Sequence, residues 1–213
     1  MIKLEKMETF GFEAALRGMR NAKNSWHLSD STFENGSVNI GPNDLKLLLN
    51  LTRAGESHRK ALRMMHIQMD ITAPLYWWKD YDTYKVSTVA NSCSTMHMIH
   101  AKEFTMDDFS TDQLENIGKN IIQVIIEALN FYRLEFINSG MKDKDAWYSM
   151  IQLLPSSYMQ KRTIDINYET ALKIIKDRRY HKLNEFRELC DYLLENVPYL
   201  GSIYSATLID KAY

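Results

Sequence analysis

Met64–Tyr76 reads MMHIQMDITAPLY. Met65, Ile67, Met69 and Ile71 alternate with His66, Gln68 and Asp70, so one face is apolar and the other polar. That period of two predicts a half-buried strand. Thr72-Ala73-Pro74 ends it, because proline has no amide hydrogen to donate to a ladder. Upstream, MIKLEKMETF opens in a β-like manner, and GFEAALRGMRNAKNSW (11–26) reads as a helix. Ser29–Asp44 (SDSTFENGSVNIGPND) gathers turn-forming residues and predicts a long surface loop of the kind that is often functional. Asn43-Asp44 is read as the cap of a helix carrying Leu45, Leu47, Leu48, Leu49 and Leu51.

Downstream, Ala73–Ile99 is aromatic and polar together and fits neither period. Beyond Phe104 the pattern turns helical. Thr111–Asn138 carries Leu114, Ile117, Ile121, Ile122, Ile125 and Leu129 at three- and four-residue steps, with Ser110 or Thr111 as N-cap. Three further helices are predicted over Asp145–Leu154 (stopped by Pro155), Asp165–Arg179 and Lys182–Asn196, the last with Leu183, Phe186, Leu189 and Leu193 on one stripe. The reading is α+β and helix-rich, one domain over residues 1–213, with its strands concentrated in the first half.

With 45% hydrophobic and 25% charged residues, the proportions are those of an ordinary globular protein. A net charge of −1 argues against a nucleic-acid or membrane-surface partner. Cys93 and Cys190 form no CxxC pair, and two isolated cysteines suit a reducing cytoplasm. The start of the chain has no apolar run for a signal peptide, and no stretch approaches the roughly 20 apolar residues that span a bilayer. A soluble, cytoplasmic protein is expected.

Asn167 and Arg178 lie eleven residues apart, almost three helical turns, on one face of a predicted helix. Such a pair can clamp a phosphate or a pyrimidine edge, although pattern alone favours a solvated face. Glu169, Lys173 and Asp177 step by four along the same helix as an ordinary charge ladder. Tyr76, Trp77, Trp78, Tyr81 and Tyr84 could stack on a flavin or a base, but such clusters are more often core or subunit interface. Cys93 reads best as a buried, inert thiol. His58 and His66 have the wrong spacing for a metal pair, so no metal site is expected, and neither common phosphate loop is present.

The order of these pieces resembles the flavin-dependent thymidylate synthases over nearly the whole chain. Ala73-Pro74-Leu75-Tyr76 is similar to that family's strand end. Thr83-Tyr84-Lys85 falls where its Arg-His-Arg stands, and Asn91-Ser92-Cys93-Ser94 where its Asn-Glu-x-Ser stands, allowing one inserted residue. His58 occupies the place of a family histidine that touches the flavin, and Ser25 is similar to the serine of an early Ala-Arg-x-Ser segment. Leu154-Pro155, Asn167 and Arg178 keep the family's spacing, Arg178 matching the arginine that grips the pyrimidine. His181–Arg187 (HKLNEFR) resembles the next helix's His-Ala-Gln-x-Glu-Ile-Arg. A family arginine two residues after the asparagine is Glu169 here, which would repel a phosphate beside it.

The resemblance implies an α+β fold with an antiparallel sheet and a homotetramer whose sites form where subunits meet, the aromatic stretch partly interface. It implies dUMP, or a related uracil nucleotide, methylated at C5 with FAD, methylenetetrahydrofolate and NADPH. It also implies that Arg178 is catalytic, and that His58, Lys85, Asn91, Ser94, Asn167 and His181 bind cofactor or nucleotide. The altered signature leaves a second reading open, a nucleotide- or flavin-binding protein that has lost catalysis.

Overall fold

In the computed structural model, which describes residues 2–34 and 37–208, the chain begins with β1 (Lys3–Phe10) and α1 (Phe12–Arg20). A hairpin of β2 (Thr32–Glu34) and β3 (Ser37–Asn39) follows, then α2 (Pro42–Arg53). Next come β4 (His66–Pro74), α3 (Leu75–Tyr81), β5 (Thr88–Ser92), α4 (Asn116–Asn138) and α5 (Lys144–Leu153). The chain continues through β6 (Met159–Asn167), α6 (Tyr168–Arg178), α7 (Asn184–Asn196) and α8 (Leu200–Leu208). The architecture is the expected helix-rich α+β, with an antiparallel four-stranded sheet in the order β1-β4-β6-β5.

β4 is the strand that the alternation dictates. Ile67, Met69 and Ile71 are buried, and His66 and Gln68 are half-exposed. Its polar side is satisfied by β6. Asp165 Oδ1 contacts His66 Nδ1 at 2.8 Å and Asp165 Oδ2 accepts from Gln68 at 2.8 Å. Further along, Asp70 accepts from Thr163 at 2.7 Å and pairs with Lys161 at 2.8 Å. β6 itself corrects the expectation that strands stop in the first half. Asp165, read as helical, is strand, and Asn167 rather than Asp165 begins the helix. α8 was likewise not expected from the pattern.

The chain folds as two compact units, each with its own helices, and every strand of the four-stranded sheet contributes residues to both. One unit gathers Asp70–Thr83 and Ala90–Thr163 with the start of β1. Its core joins Ile122, Ile126, Leu129 and Phe136 of α4 to Ala146 and Met150 of α5 and to Ile99, Phe104 and Phe109. Trp77, Trp78 and Tyr81 of α3 are also buried there, Trp77 stacked on Tyr81 and Trp78 under the Arg162 guanidinium. These α3 aromatics are therefore core, while Val86, Val89, Met96 and Met98 of the same stretch are exposed. α4 starts at Asn116 with Glu115 as N-cap, so neither Ser110 nor Thr111 caps it.

The other unit holds Glu5–Met69, Tyr84–Val89 and the chain from Ile164 onward, built on α1, α2, α6, α7 and α8. Gly11, at φ 87°, turns the chain from β1 into α1, and a Cβ there would lie 2.1 Å from the Met64 carbonyl oxygen. Only glycine fits both conditions.

Ser29–Asp44 is not a free loop. Asn35 and Gly36 lie outside the described residues, but the segment's two ends are clasped by two aspartates. Asp30 accepts the Asn43 and Asp44 amides at 2.8 and 3.0 Å, satisfying the open N-terminus of α2, whose N-cap is Gly41 rather than Asn43 or Asp44. Asp44, fully buried, accepts from Arg20 at 2.6 Å, from the Ser29 and Ser31 hydroxyls at 2.7 and 2.6 Å, and from the Asp30 amide at 3.2 Å. Burial alone would raise its carboxyl. The four hydrogen bonds outweigh burial and hold it below the ordinary 3.8.

Removing one partner of a buried pair strands the other, so Asp44→Ala is expected to cost about 3–5 kcal/mol in urea unfolding. Because the folded value is depressed, Asp44's contribution is complete above the ordinary carboxylate range and is lost as pH falls through the folded value. The stability gap between wild type and Asp44→Ala should therefore close in acid. A gap that persists unchanged at pH 2 contradicts the clasp.

Candidate functional site

α6 carries most of the residues that the sequence singles out. Its N-cap is Asn167, whose side-chain oxygen accepts the Thr170 amide at 2.9 Å. Asn167 is 2% exposed, so it is packed within the fold rather than solvating a face. Arg178 ends the helix and is half-buried. Its Nε donates to the Tyr84 hydroxyl at 3.1 Å, and its guanidinium lies 4.9 Å above the Phe186 ring. Tyr84 in turn donates to Asp177 at 3.4 Å. Burial raises the Tyr84 phenol above its ordinary 10.0, with Arg178 opposing the rise. His181 meets Phe186 edge-on at 5.1 Å, and its Nδ1 accepts the Leu183 amide at 3.3 Å.

Arg178 and His181 are thus brought together on the Phe186 ring. Lys85 is exposed on the loop between Tyr84 and Val86. That loop is tied to α6 at both ends, by Tyr84 to Arg178 and by the Thr170 hydroxyl to the Val86 carbonyl at 3.1 Å. The charge ladder is only half formed. Lys173 and Asp177 pair at 2.9 Å on the surface, whereas Glu169 turns to the 6%-exposed Arg59 at 3.3 Å. Burial raises the Glu169 carboxyl against the pull of Arg59. Arg59 therefore offsets the negative charge expected to repel a phosphate, a pairing across 110 positions that no local sequence signal announces.

His58, beside Arg59, is exposed and lines a cavity of about 480 Å³ with Ala15, Asn21, Ala22, Leu51 and Lys60. Ala22 belongs to the segment containing Ser25, so two of the resembling segments meet at one cavity. Its volume falls within the roughly 300–1,000 Å³ of small-molecule sites, and an apolar wall edged by His58, Asn21 and Lys60 suits a planar ring with a polar rim.

Asn91 and Ser94 belong to the other unit. Asn91 is exposed on β5, and the Ser94 hydroxyl accepts the Met96 and His97 amides at 3.2 and 2.9 Å. Ser94 also lines a second cavity of about 480 Å³, more polar, with Cys93, Lys3, Lys102, Gln160 and Lys161. Lys102 pairs with Asp108 at its edge. Sequence reasoning missed these lysines because they come from three separate segments, and Asp107 and Asp108 line the cavity with them. Among the described residues no three His, Cys, Asp or Glu side chains gather to hold a metal, and no helix is long and apolar enough to cross a membrane.

Two comparisons by sequence return no match, neither to a family model nor to a curated relative. Solved structures do match. Thymidylate synthase X (ThyX) from Helicobacter pylori, determined with FAD and dUMP, superposes with a TM-score of 0.68 at 15% identity, over 97% of this chain and 99% of that one. A second structure of the flavin-dependent thymidylate synthase ThyX from that organism, also complexed with FAD and dUMP, gives 0.65 at 16% identity over 96% and 97%. The UMP/dUMP methylase PolB from Streptomyces cacaoi, bound with 5-Br dUMP, gives 0.65 at 13% identity over 98% and 95%. The chain therefore has the flavin-dependent thymidylate synthase fold, end to end.

Cys93 is exposed and Cys190 buried, which corrects the expectation of a buried Cys93. Burial pushes the Cys190 thiol up to about 12. A thiol-disulfide reagent at neutral pH is expected to titrate one thiol in the native chain and both after unfolding. Two fast-reacting native thiols would contradict this placement.

Proposed function

We propose that this chain binds a uracil nucleotide at the α6–α7 face, with Arg178 as the group that meets the pyrimidine. We propose further that it is a divergent flavin-dependent thymidylate synthase-like enzyme, methylating dUMP or a related nucleotide at C5. The observation that carries the reading is Arg178 itself. A half-buried guanidinium is held at the end of α6 by Tyr84 and Phe186, with His181 on the same ring. Three solved structures with this fold contain FAD and dUMP, or 5-Br dUMP.

In this reading Arg178 places fixed positive charge where negative charge develops on the pyrimidine, and its tether to Tyr84 spares it reorganisation during reaction. Phe186 excludes water from one side of the guanidinium. Asn167 is a positioning residue, since it sets where α6 begins and therefore where Arg178 ends it. The cavity around His58 fits a flavin ring, with His58, Asn21 and Lys60 as its polar edge. In the other unit, the cavity beside Ser94 is edged by Lys3, with Lys102 and Lys161 held by Asp108 and Asp70, and Lys85 and Asn91 are exposed. FAD would supply the redox chemistry, with NADPH and methylenetetrahydrofolate as co-substrates. The chain is read as a homotetramer.

A second reading rests on a specific observation. Tyr84, standing where the family has a histidine, is buried and occupied by Arg178 and Asp177 rather than presented outward. A nucleotide-binding protein without catalysis needs Arg178 but not a working flavin site.

Two measurements separate the readings. Absorbance of freshly purified protein, repeated after FAD addition and desalting, should retain a flavin spectrum if the enzyme reading holds. A colourless protein that still binds dUMP in calorimetry supports the binding reading. In both, Arg178→Ala should weaken dUMP roughly 10- to 100-fold, the loss of one or two charge-assisted contacts. Unchanged affinity overturns the assignment of Arg178.

A further inference from the structure

The polar cavity of about 480 Å³ beside Cys93 belongs wholly to the unit that holds α3, α4 and α5. Its lining includes three lysines, Lys3, Lys102 and Lys161, and two aspartates, Asp107 and Asp108. Lys102 is taken by Asp108, and Lys161 by Asp70 at 2.8 Å. Among the described residues, the Lys3 ammonium and the Asp107 carboxylate have no partner. The lining is therefore left with one unpaired charge of each sign. Tyr158 lines the same cavity. Its ring is held edge-on by Phe104 and Phe109, at centroid distances of 6.3 and 5.8 Å, and its hydroxyl has no hydrogen-bond partner among the described residues. Burial raises that phenol above its ordinary 10.0, so at neutral pH it stays an uncharged donor and acceptor.

We propose that this cavity binds a small zwitterion, an α-amino acid with a neutral polar side chain, whose carboxylate meets Lys3 and whose ammonium meets Asp107. The site is separate from the nucleotide reading and does not depend on it. Charge balance selects the class. Counting Asp70, three ammonium groups stand against three carboxylates, so the lining favours neither a net anion nor a net cation. Two unpaired charges of opposite sign are satisfied together only by a ligand that carries both. A phosphate drawn to Lys3 would also meet the Asp107 and Asp108 carboxylates, and like charges oppose it. A neutral sugar would shield both charges from water without pairing either. Tyr158 is the one aromatic residue in the described lining, so a flat apolar ring has little to stack on. For a polar side chain, the Tyr158 hydroxyl and the Lys102–Asp108 pair offer both donors and acceptors.

Cys93 supplies the readout, because it lines the cavity and is exposed, whereas Cys190 is buried. Serine, threonine, asparagine and glutamine are each titrated against the rate at which a thiol-disulfide reagent modifies Cys93 in the full chain, with calorimetry on the same samples. At least one should slow the reaction saturably and bind in calorimetry with the same midpoint. The N-acetyl and α-amide derivatives of that amino acid, each lacking one charge, should do neither. Lys3→Gln and Asp107→Asn, both at exposed side chains, should each weaken binding roughly 10-fold with unchanged circular dichroism, the loss of one charge-assisted contact. The site is overturned if none of the four amino acids binds, if the derivatives bind as tightly, or if both variants keep native affinity. Protection by inorganic phosphate, with no effect of the amino acids, overturns it in favour of an anion site. All of these results leave dUMP binding at Arg178 to be decided by its own titration.

Discussion

The junction where β6 becomes α6 governs the candidate site. Asn167 ends the strand and caps the helix in one residue, its side chain closing on the Thr170 amide while the Tyr168 amide is held by the Met65 carbonyl at 3.0 Å. From that fixed start each turn of α6 takes a separate task. Glu169 anchors Arg59 and, with it, the loop bearing His58. Thr170 anchors Val86, and three turns on Arg178 meets Tyr84 and Phe186. Shifting the start by one residue would rotate the helix by about 100° and separate all of these partners.

The charge distribution departs from the resembling signature without collapsing the site. At 83–85 only Lys85 keeps a positive charge of the signature, while Arg59 is taken up by Glu169 and, in the other unit, Lys102 and Lys161 are paired with Asp108 and Asp70. Tyr84 changes the character of Arg178 as well. A buried phenol with a raised proton affinity is a neutral partner, so it orients the guanidinium without cancelling its charge.

Much of this was legible in the sequence, for reasons of period and spacing. β4 could be read because one of its faces is buried and the other half-exposed, which is when alternation is clean. α7 and the body of α4 could be read from their stripes. β6 could not, since Gln160 and Arg162 stand at positions on the same face as the buried Ile164 and Ile166, which hides the alternation, and the segment runs directly into a helix. Two local rules failed where tertiary contacts replaced them. Asp44 resembles a helix cap but serves Arg20 and two serines, while Asp30 from the preceding loop does the capping. Tyr84 and Glu169 looked like losses because their partners, Arg178 and Arg59, lie about a hundred residues away.

The central claim, that Arg178 meets the nucleotide, is tested most directly by following its side-chain Nε–Hε resonance in nitrogen-edited spectra during a dUMP titration. The resonance should be resolved in the free protein, because Tyr84 holds that proton, and it should shift saturably with dUMP. Saturable shifts elsewhere with the Arg178 signal unmoved would place the nucleotide away from α6 and contradict the account.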